Sequence, residues 1–463
     1  MAEHTTLSED HPIYADELLG LSPELVAKVA VALEAEHRFE ARIQVEPLRP
    51  PECADLLQLL RPELRHRLIE YMRPDFDPEI LPELEEDIRD EIAEQLGTTS
   101  IAHAIARLES DDALELIETL DEQKRHDILQ KIPAQLRNIV EEGLAFPEDS
   151  AGRLMERDFV AVPTFWTVGE TIDFLREADD LPADFYDIFV VDPRHRAIGM
   201  VALSHVLRSK RPVKIADIME AEIVTVPAMM DQEEVAYLFS QQDLVSAPVV
   251  DDAERLIGMV TVDDVLDVIQ EEAEEDIMRL GGVSGDDLYS AALETGRSRS
   301  SWLFINLLTA IVASIVIGLF QGTIEQIVIL AVLMPIVASM GGNAGTQTMT
   351  VAVRALATKE LTASNALRVL GKEALVGVYN GVLFALLVGC VAWFWADSWK
   401  IGGVMAVAMI VTLVLAALSG MAIPLVLARR GIDPAIASSV ILTTITDVVA
   451  FSAFLGLAAW LLL

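Results

Sequence analysis

Cysteine is nearly absent from this chain. It has two in 463 residues, Cys53 and Cys390. They lie in regions of different character, and Cys390 sits inside an apolar run, which excludes a disulfide framework or a thiolate metal site. Histidine and cysteine do not cluster anywhere, so any metal site is expected to be built from oxygen. Basic residues are scarce, 34 against 73 acidic ones, for a net charge of −39. Such a surface repels nucleic acid and anionic lipid and attracts cations. The opening MAEHTTLSEDHPIYADELLG lacks the basic stretch and apolar core of a secretion signal. The acidic part is therefore expected to remain in the cytoplasm. Neither a nucleophile–base pairing nor a glycine loop for phosphate is apparent, so no enzymatic reaction is expected.

Composition changes sharply near residue 298. Six of the acids and eight of the basic residues lie beyond it, leaving −41 on the first part and +2 on the rest. Five apolar runs follow, at 302–320, 327–356, 374–395, 403–427 and 435–463, each close to the ~20 residues that cross a bilayer as a helix. Arg297, Arg299, Arg354, Lys359, Arg368, Lys372, Arg429 and Arg430 fall on one side of these runs and Lys400 on the other. The positive-inside rule then places the N-terminus in the cytoplasm and the C-terminus outside.

The last run carries one charge in its middle, Asp447, with no Lys, Arg or His between 434 and 463. A charge at that depth costs at least ~2.5–3.5 kcal/mol. Two readings fit: an ion pathway, or a protonated acid bonded to a neighbouring helix. The second run contains MPIVASMGGNAGTQTMTVAVRAL, with Pro335, Asn343, Thr346, Gln347 and Thr348. Small residues let helices approach closely. Amides and hydroxyls at membrane depth are better explained by a watery passage.

Residues 22–148 show apolar positions three and four apart, broken by Pro50, Pro51 and Pro62. This is an all-helical region, either a solenoid-like stack of helix pairs or an ordinary bundle. A twofold repeat follows. Leu154-Met155-Glu156 with FVAVP returns as Ile218-Met219-Glu220 with IVTVP, and FVVDPRHRAIGMVALSHVL returns as PVVDDAERLIGMVTVDDVL. Each copy reads strand, helix, strand, turn, strand, helix. The pair, about residues 153–270, resembles tandem CBS domains. That resemblance implies adenine-nucleotide binding, ATP being the candidate, through a Gly-x-x-Thr/Ser-x-x-Asp phrase. The second copy has it as Gly258, Thr261 and Asp264, whereas the first has Ala202 and His205 in the last two places.

From 263 the chain reads DDVLDVIQEEAEED. Helical spacing puts Asp264, Asp267, Glu271 and Glu274 or Glu275 on one side, with Glu272 and Asp276 beside them. Each like-charge pair destabilises a helix by ~0.2–0.5 kcal/mol. The run is either a solvated acidic face or a binder of divalent cations. Asp231, Glu233, Glu234 and Asp243 are positioned in sequence to supply facing oxygens, which suit magnesium or calcium.

PIVASMGGNAGTQTMTVAVRALAT, GIDPA and TTITDVVAF, taken with this order of parts, closely resemble the MgtE family of magnesium transporters and channels over about residues 22–463. The resemblance implies a homodimer in the bacterial cytoplasmic membrane with one pore on its twofold axis. Asp447 would hold a hydrated Mg²⁺, Asn343 would line the passage, and Asp433 would meet the regulatory helix. Cytosolic Mg²⁺ ligands would be Asp231, Glu233, Asp243, Asp264, Asp267, Glu272, Glu275 and Asp276, and less directly Asp111 or Asp112. Ala450 stands where relatives often have glycine. The expected parts are a loosely ordered N-terminus (1–21), a helical N-domain (22–148), tandem CBS domains (149–270), an acidic connecting helix (271–300) and a five-span α-helical pore domain (301–463). The expected function is Mg²⁺ transport closed by cytosolic Mg²⁺. The alternatives are a membrane-anchored CBS nucleotide sensor and a transporter of another divalent cation.

Overall fold

The computed structural model describes residues 21–463 except 121, 179–180, 183–184 and 284–291. All but Leu21 of the expected loose N-terminus, and the middle of the expected 271–300 segment, therefore lie outside the described residues. The chain divides into two compact units, residues 1–269 and 270–463.

Among the described residues, nine short α-helices fill the stretch from Pro23 to Gly143. Several begin with proline at the first helical positions, as at Pro23, Pro50 and Pro62, where the missing N–H has no partner to lose. Apolar residues from Val29 to Val140 share one core. The same polar contact recurs along the row. Arg65, Arg125 and Arg137 each donate to the carbonyl five residues back, at Leu60, Leu120 and Ile132. Arg65 also reaches Glu91, and Arg89 reaches Glu115, both 26 residues on. A contact repeated at a fixed offset from one helix to the next describes a solenoid-like stack.

The repeat folds into two three-stranded sheets of identical order. In the first, β1 (Ala161–Pro163) is parallel to β2 (Asp187–Val191), which is antiparallel to β3 (Ala197–Ala202). In the second, β4 (Val226–Pro227), β5 (Ser246–Val250) and β6 (Leu256–Thr261) pair in the same way. Both sheets break register at the same place, Val190/Val191 and Val249/Val250. The Met-Glu phrases cross over. Glu156 exchanges backbone hydrogen bonds with Met259 of the second copy, and Glu220 exchanges them with Met200 of the first. Gly199 and Gly258 make room for this: a Cβ there would meet the carbonyl of Glu220 at 2.9 Å or of Glu156 at 2.7 Å.

The helix that ends the second copy runs Val262–Gly281 and stops at Gly282, whose φ is 71°. Among the described residues five helices are long and apolar enough to cross a membrane: Ala292–Leu319, Ile329–Ala357, Ala366–Ala396, Trp399–Ala428 and Pro434–Leu462. The third starts eight residues before the apolar run and takes in Lys372 and Glu373. The fourth is the most buried, and the second, third and fifth pack against it. Its small residues permit this. At Gly420 a Cβ would meet the carbonyl oxygen of Gly345, on the second span, at 2.5 Å.

Candidate ion pathway and cation-sensing acids

Asp447 lies 13 residues into the 29-residue fifth span, roughly 20 Å of helix from its start. It is half-buried and has no hydrogen bond or ion pair among the described residues. The second and fifth spans run antiparallel with close contacts at two levels. A Cβ on Gly345 would touch Leu442, and one on Gly341 would come within 3.9 Å of Thr446. Asn343 is thus about one helical turn from Asp447 along the axis. Asn343, Thr346, Gln347 and Thr350 are all exposed in the single chain. Their spacing of three and four puts them on one helix face. The second span therefore presents a polar stripe beside an unpaired carboxyl, while its apolar residues such as Leu330, Leu333 and Val337 are buried.

Asp433 caps the fifth span. Its Oδ1 accepts from the backbone N–H of Ala435 at 2.7 Å, a contact that satisfies one orphan donor. Its other oxygen pairs with Arg279, which also pairs with Glu275 one turn back on its own helix. Leu280 packs beside Met349, Val353, Ala435 and Leu442. The end of the acidic helix is thereby anchored to the start of the fifth span. Asp276 lies nearby, and burial, then Asp433 and Glu272, push its carboxyl above the usual range.

The other expected ligands fall in separate places. Asp231 is the N-cap of helix Gln232–Gln242, accepting from the N–H of Glu233 at 2.9 Å, and Asp243 is its C-cap, with φ 51°. Twelve residue steps of helix hold them ~18 Å apart, so within one chain they cannot share an ion. Asp264 accepts from the Thr261 hydroxyl at 2.6 Å and from its N–H at 3.1 Å. Asp267 and Glu233 are exposed, while Glu272 and Glu275 are half-buried. Among the described residues no three His, Cys, Asp or Glu side chains stand close enough together to hold a metal ion.

Around Asp264, however, acids gather from distant parts of the chain. Helix Ser110–Glu118 brings Asp111 and Asp112, and the crossing phrase brings Glu156, whose carboxyl lies 3.3 Å from the Thr261 hydroxyl. Arg157 N–H donates to Ser110 Oγ at 2.7 Å and fixes the helix against the phrase. Burial is the leading cause in every case and neighbouring acids add to it. Asp112 is pushed up to about 7, Glu156 to about 8 and Asp264 to about 6. Asp111 is raised well above its ordinary value by burial and by Asp264, Asp112 and Glu156. Its Oδ1 is shut off from solvent with no hydrogen-bond partner. Glu83 and Asp267 are raised too. Glu156 and Glu83 were not singled out in the sequence. The recurrence of Met-Glu in both copies was the only local signal for Glu156, and Glu83 has none.

The nucleotide phrase has structural uses of its own. Gly258 admits the Glu156 carbonyl and the Met155 side chain, and Asp264 closes the first turn of its helix onto Thr261.

Three family models match the chain: "Divalent cation transporter" over residues 334–457, "MgtE intracellular N domain" over 48–149, and "CBS domain" over 215–271. The chain is similar to the magnesium transporter MgtE of Thermus thermophilus, 37% identical over 76% of this chain and 78% of that protein. It is 28% identical to that of Bacillus subtilis over 94% and 97%, and 31% identical to that of Enterococcus faecalis over 69% and 71%. A solved structure of the cytosolic domain of the Mg²⁺ channel MgtE in complex with ATP covers 52% of this chain and 99% of its own, at 30% identity and a TM-score of 0.49.

Proposed function

This chain belongs to the MgtE family of magnesium transporters, and from that premise we propose how it carries and senses the ion. Mg²⁺ transport across a membrane is the function. In our reading two chains assemble as a homodimer and line one pore with the second and fifth spans. The observation that carries this is the unpaired Asp447 at mid-span beside the exposed stripe of Asn343, Thr346, Gln347 and Thr350. A lone carboxyl and uncovered amides at membrane depth are costly unless they face water or another copy. A second chain supplies the cover and doubles the carboxylate. Mg²⁺ sheds water reluctantly, so paired Asp447 side chains would meet it through its hydration shell. The acidic side would face the cytoplasm of a bacterial cell, with the C-terminus outside.

For the gate, we propose that cytosolic Mg²⁺ replaces the protons that the crowded acids otherwise retain. Asp111, Asp264 and Glu156, which stand too far apart here to hold an ion together, would draw in around it as one such centre. Asp433, Glu272, Glu275 and Asp276 are a second group of proposed ligands, of which Asp433 and Glu275 are held by Arg279, and Asp231, Glu233, Asp243 and Asp267 serve at the surface, including against the second chain. By linkage, a closed state that binds Mg²⁺ more tightly than the open state is favoured as Mg²⁺ rises. ATP at Gly258, Thr261 and Asp264 would act on the same equilibrium, and titration of purified protein with ATP checks it.

Reconstituted in liposomes, Asp447→Asn is expected to lower Mg²⁺ flux at least about tenfold, equivalent to ~1.4 kcal/mol, with an unchanged elution profile. Near-normal flux would remove Asp447 from the pathway and with it the pore as drawn.

A further inference from the structure

A second carboxyl is buried in the membrane unit. Glu373, on the third span, is 8% exposed. It lines a cavity of about 160 Å³ together with Gln347 and Thr348 of the second span, Asn380 about two turns further along its own helix, and Leu413 of the fourth. Positions 373, 377 and 380 share one helix face. Gly377 in the middle lies against the fourth span, where a Cβ would meet the Val414 backbone at 3.0 Å. That close approach sinks Glu373 into the cleft instead of leaving it at the surface.

The partners that Glu373 has are weak. The Thr348 hydroxyl donates to it over 3.4 Å. The Lys372 ammonium is 3.6 Å away, on a side chain 71% exposed, and a solvated ion pair of that kind contributes little. The cavity meanwhile offers hard oxygen donors only: two from the Glu373 carboxyl, one each from the amides of Gln347 and Asn380, and the Thr348 hydroxyl. Its volume corresponds to about five waters at ~30 Å³ each. Mg²⁺ needs six oxygens and keeps several of them as water, so the space suits one ion with part of its shell. Gln347 also belongs to the exposed stripe beside Asn343, so the cavity lies next to the proposed pathway without sharing Asp447.

We propose that this cleft is a second cation site of the membrane unit, holding one partly hydrated divalent ion between Glu373, Asn380 and Gln347. The proposal does not depend on the route through Asp447. It is tested on the full chain in detergent with Mn²⁺ as the probe, counted by electron paramagnetic resonance. Asp447→Asn is the reference, and Glu373→Gln is added to it, which keeps the acceptor for Thr348 and removes the charge. The double variant should bind one Mn²⁺ fewer per chain. Asn380→Ala, in the same reference, should retain that ion but bind it about tenfold more weakly, equivalent to ~1.4 kcal/mol. Mg²⁺ should displace it and sodium should not. Equal counts in reference and double variant, an unaltered affinity in Asn380→Ala, or displacement by sodium alone would each overturn the assignment. If Glu373→Gln fails to fold, the affinity of Asn380→Ala decides.

Discussion

Removing one charge from the acidic centre in the first unit, residues 1–269, should stabilise it, by an amount that depends on pH. Glu156 is buried, accepts from Thr261, and faces Asp264 and Glu109. Burial first, and those two acids second, push its carboxyl from 4.5 up to about 8. In the native state the group therefore holds a proton that the unfolded chain has already released. Stability is then greatest below the unfolded value and falls as pH rises through the window from 4.5 to about 8. At ~1.36 kcal/mol per unit, two pH units within that window correspond to as much as ~2.7 kcal/mol. Allowing for relaxation around the charge, we expect ~1–3 kcal/mol between pH 6 and pH 8. For a unit of this size that is roughly 3–10 °C of melting temperature. Glu156→Gln keeps the acceptor for the Thr261 hydroxyl and removes the titration. Scanning calorimetry of the full chain in chelator should show the first transition of the parent falling as pH rises from 6 to 8, while that of the variant falls less steeply, since Asp111 and Asp112 are raised as well, and lies higher at pH 8. Added Mg²⁺ should raise the parent at pH 8 and the variant less. A variant no more stable than its parent at pH 8 without divalent ions, or one with the same pH slope, would refute the view that these acids repel one another in the folded state.

The anchor of the acidic helix and the packing of the spans give two further tests. Arg279→Gln breaks the pair with Asp433 but leaves the Asp433 cap on Ala435. A half-exposed pair is worth ~1 kcal/mol, so amides of residues 275–281 should exchange about fivefold faster in metal-free protein. Unchanged exchange would assign the anchoring to Leu280. Gly420→Ala forces a Cβ against the Gly345 carbonyl, whereas Gly342 has nothing within 4 Å. The first substitution should cost the membrane unit ~1–3 kcal/mol and lower its melting temperature in detergent. Gly342→Ala should leave it unchanged.

Some of the molecule was plain from local sequence. Asp447 stands out because it is the one charge in a stretch of thirty otherwise uncharged residues, 434–463, and the tandem CBS fold follows from phrases that recur with the same strand and helix order. Five spans are also a local property, since each depends on hydropathy over a window. The start of the third span was not legible. Lys372 and Glu373 lie just before the apolar run, and only the approach of other helices, at Thr348 and at Val414 against Gly377, makes Glu373 an interior residue. The choice between stack and bundle in the first 148 residues stayed open for a similar reason. Helical period shows which face is apolar, but the row is revealed by arginines that repeat the same carbonyl contact.

The expected cytosolic ligands mark the same boundary. Spacing along one helix related Asp264 to Asp267, and it could not relate either to Asp111 or Glu156, which arrive from more than a hundred residues away. The sequence also grouped Asp231 with Asp243 as suppliers of facing oxygens, although a rigid helix holds them at its opposite ends. By itself the sequence determined the segments, their polarity and the sign of the charge, because those follow from each residue and its near neighbours. Only tertiary structure decided which acids meet and which lose their water, since desolvation and repulsion are set by whatever lies across the gap.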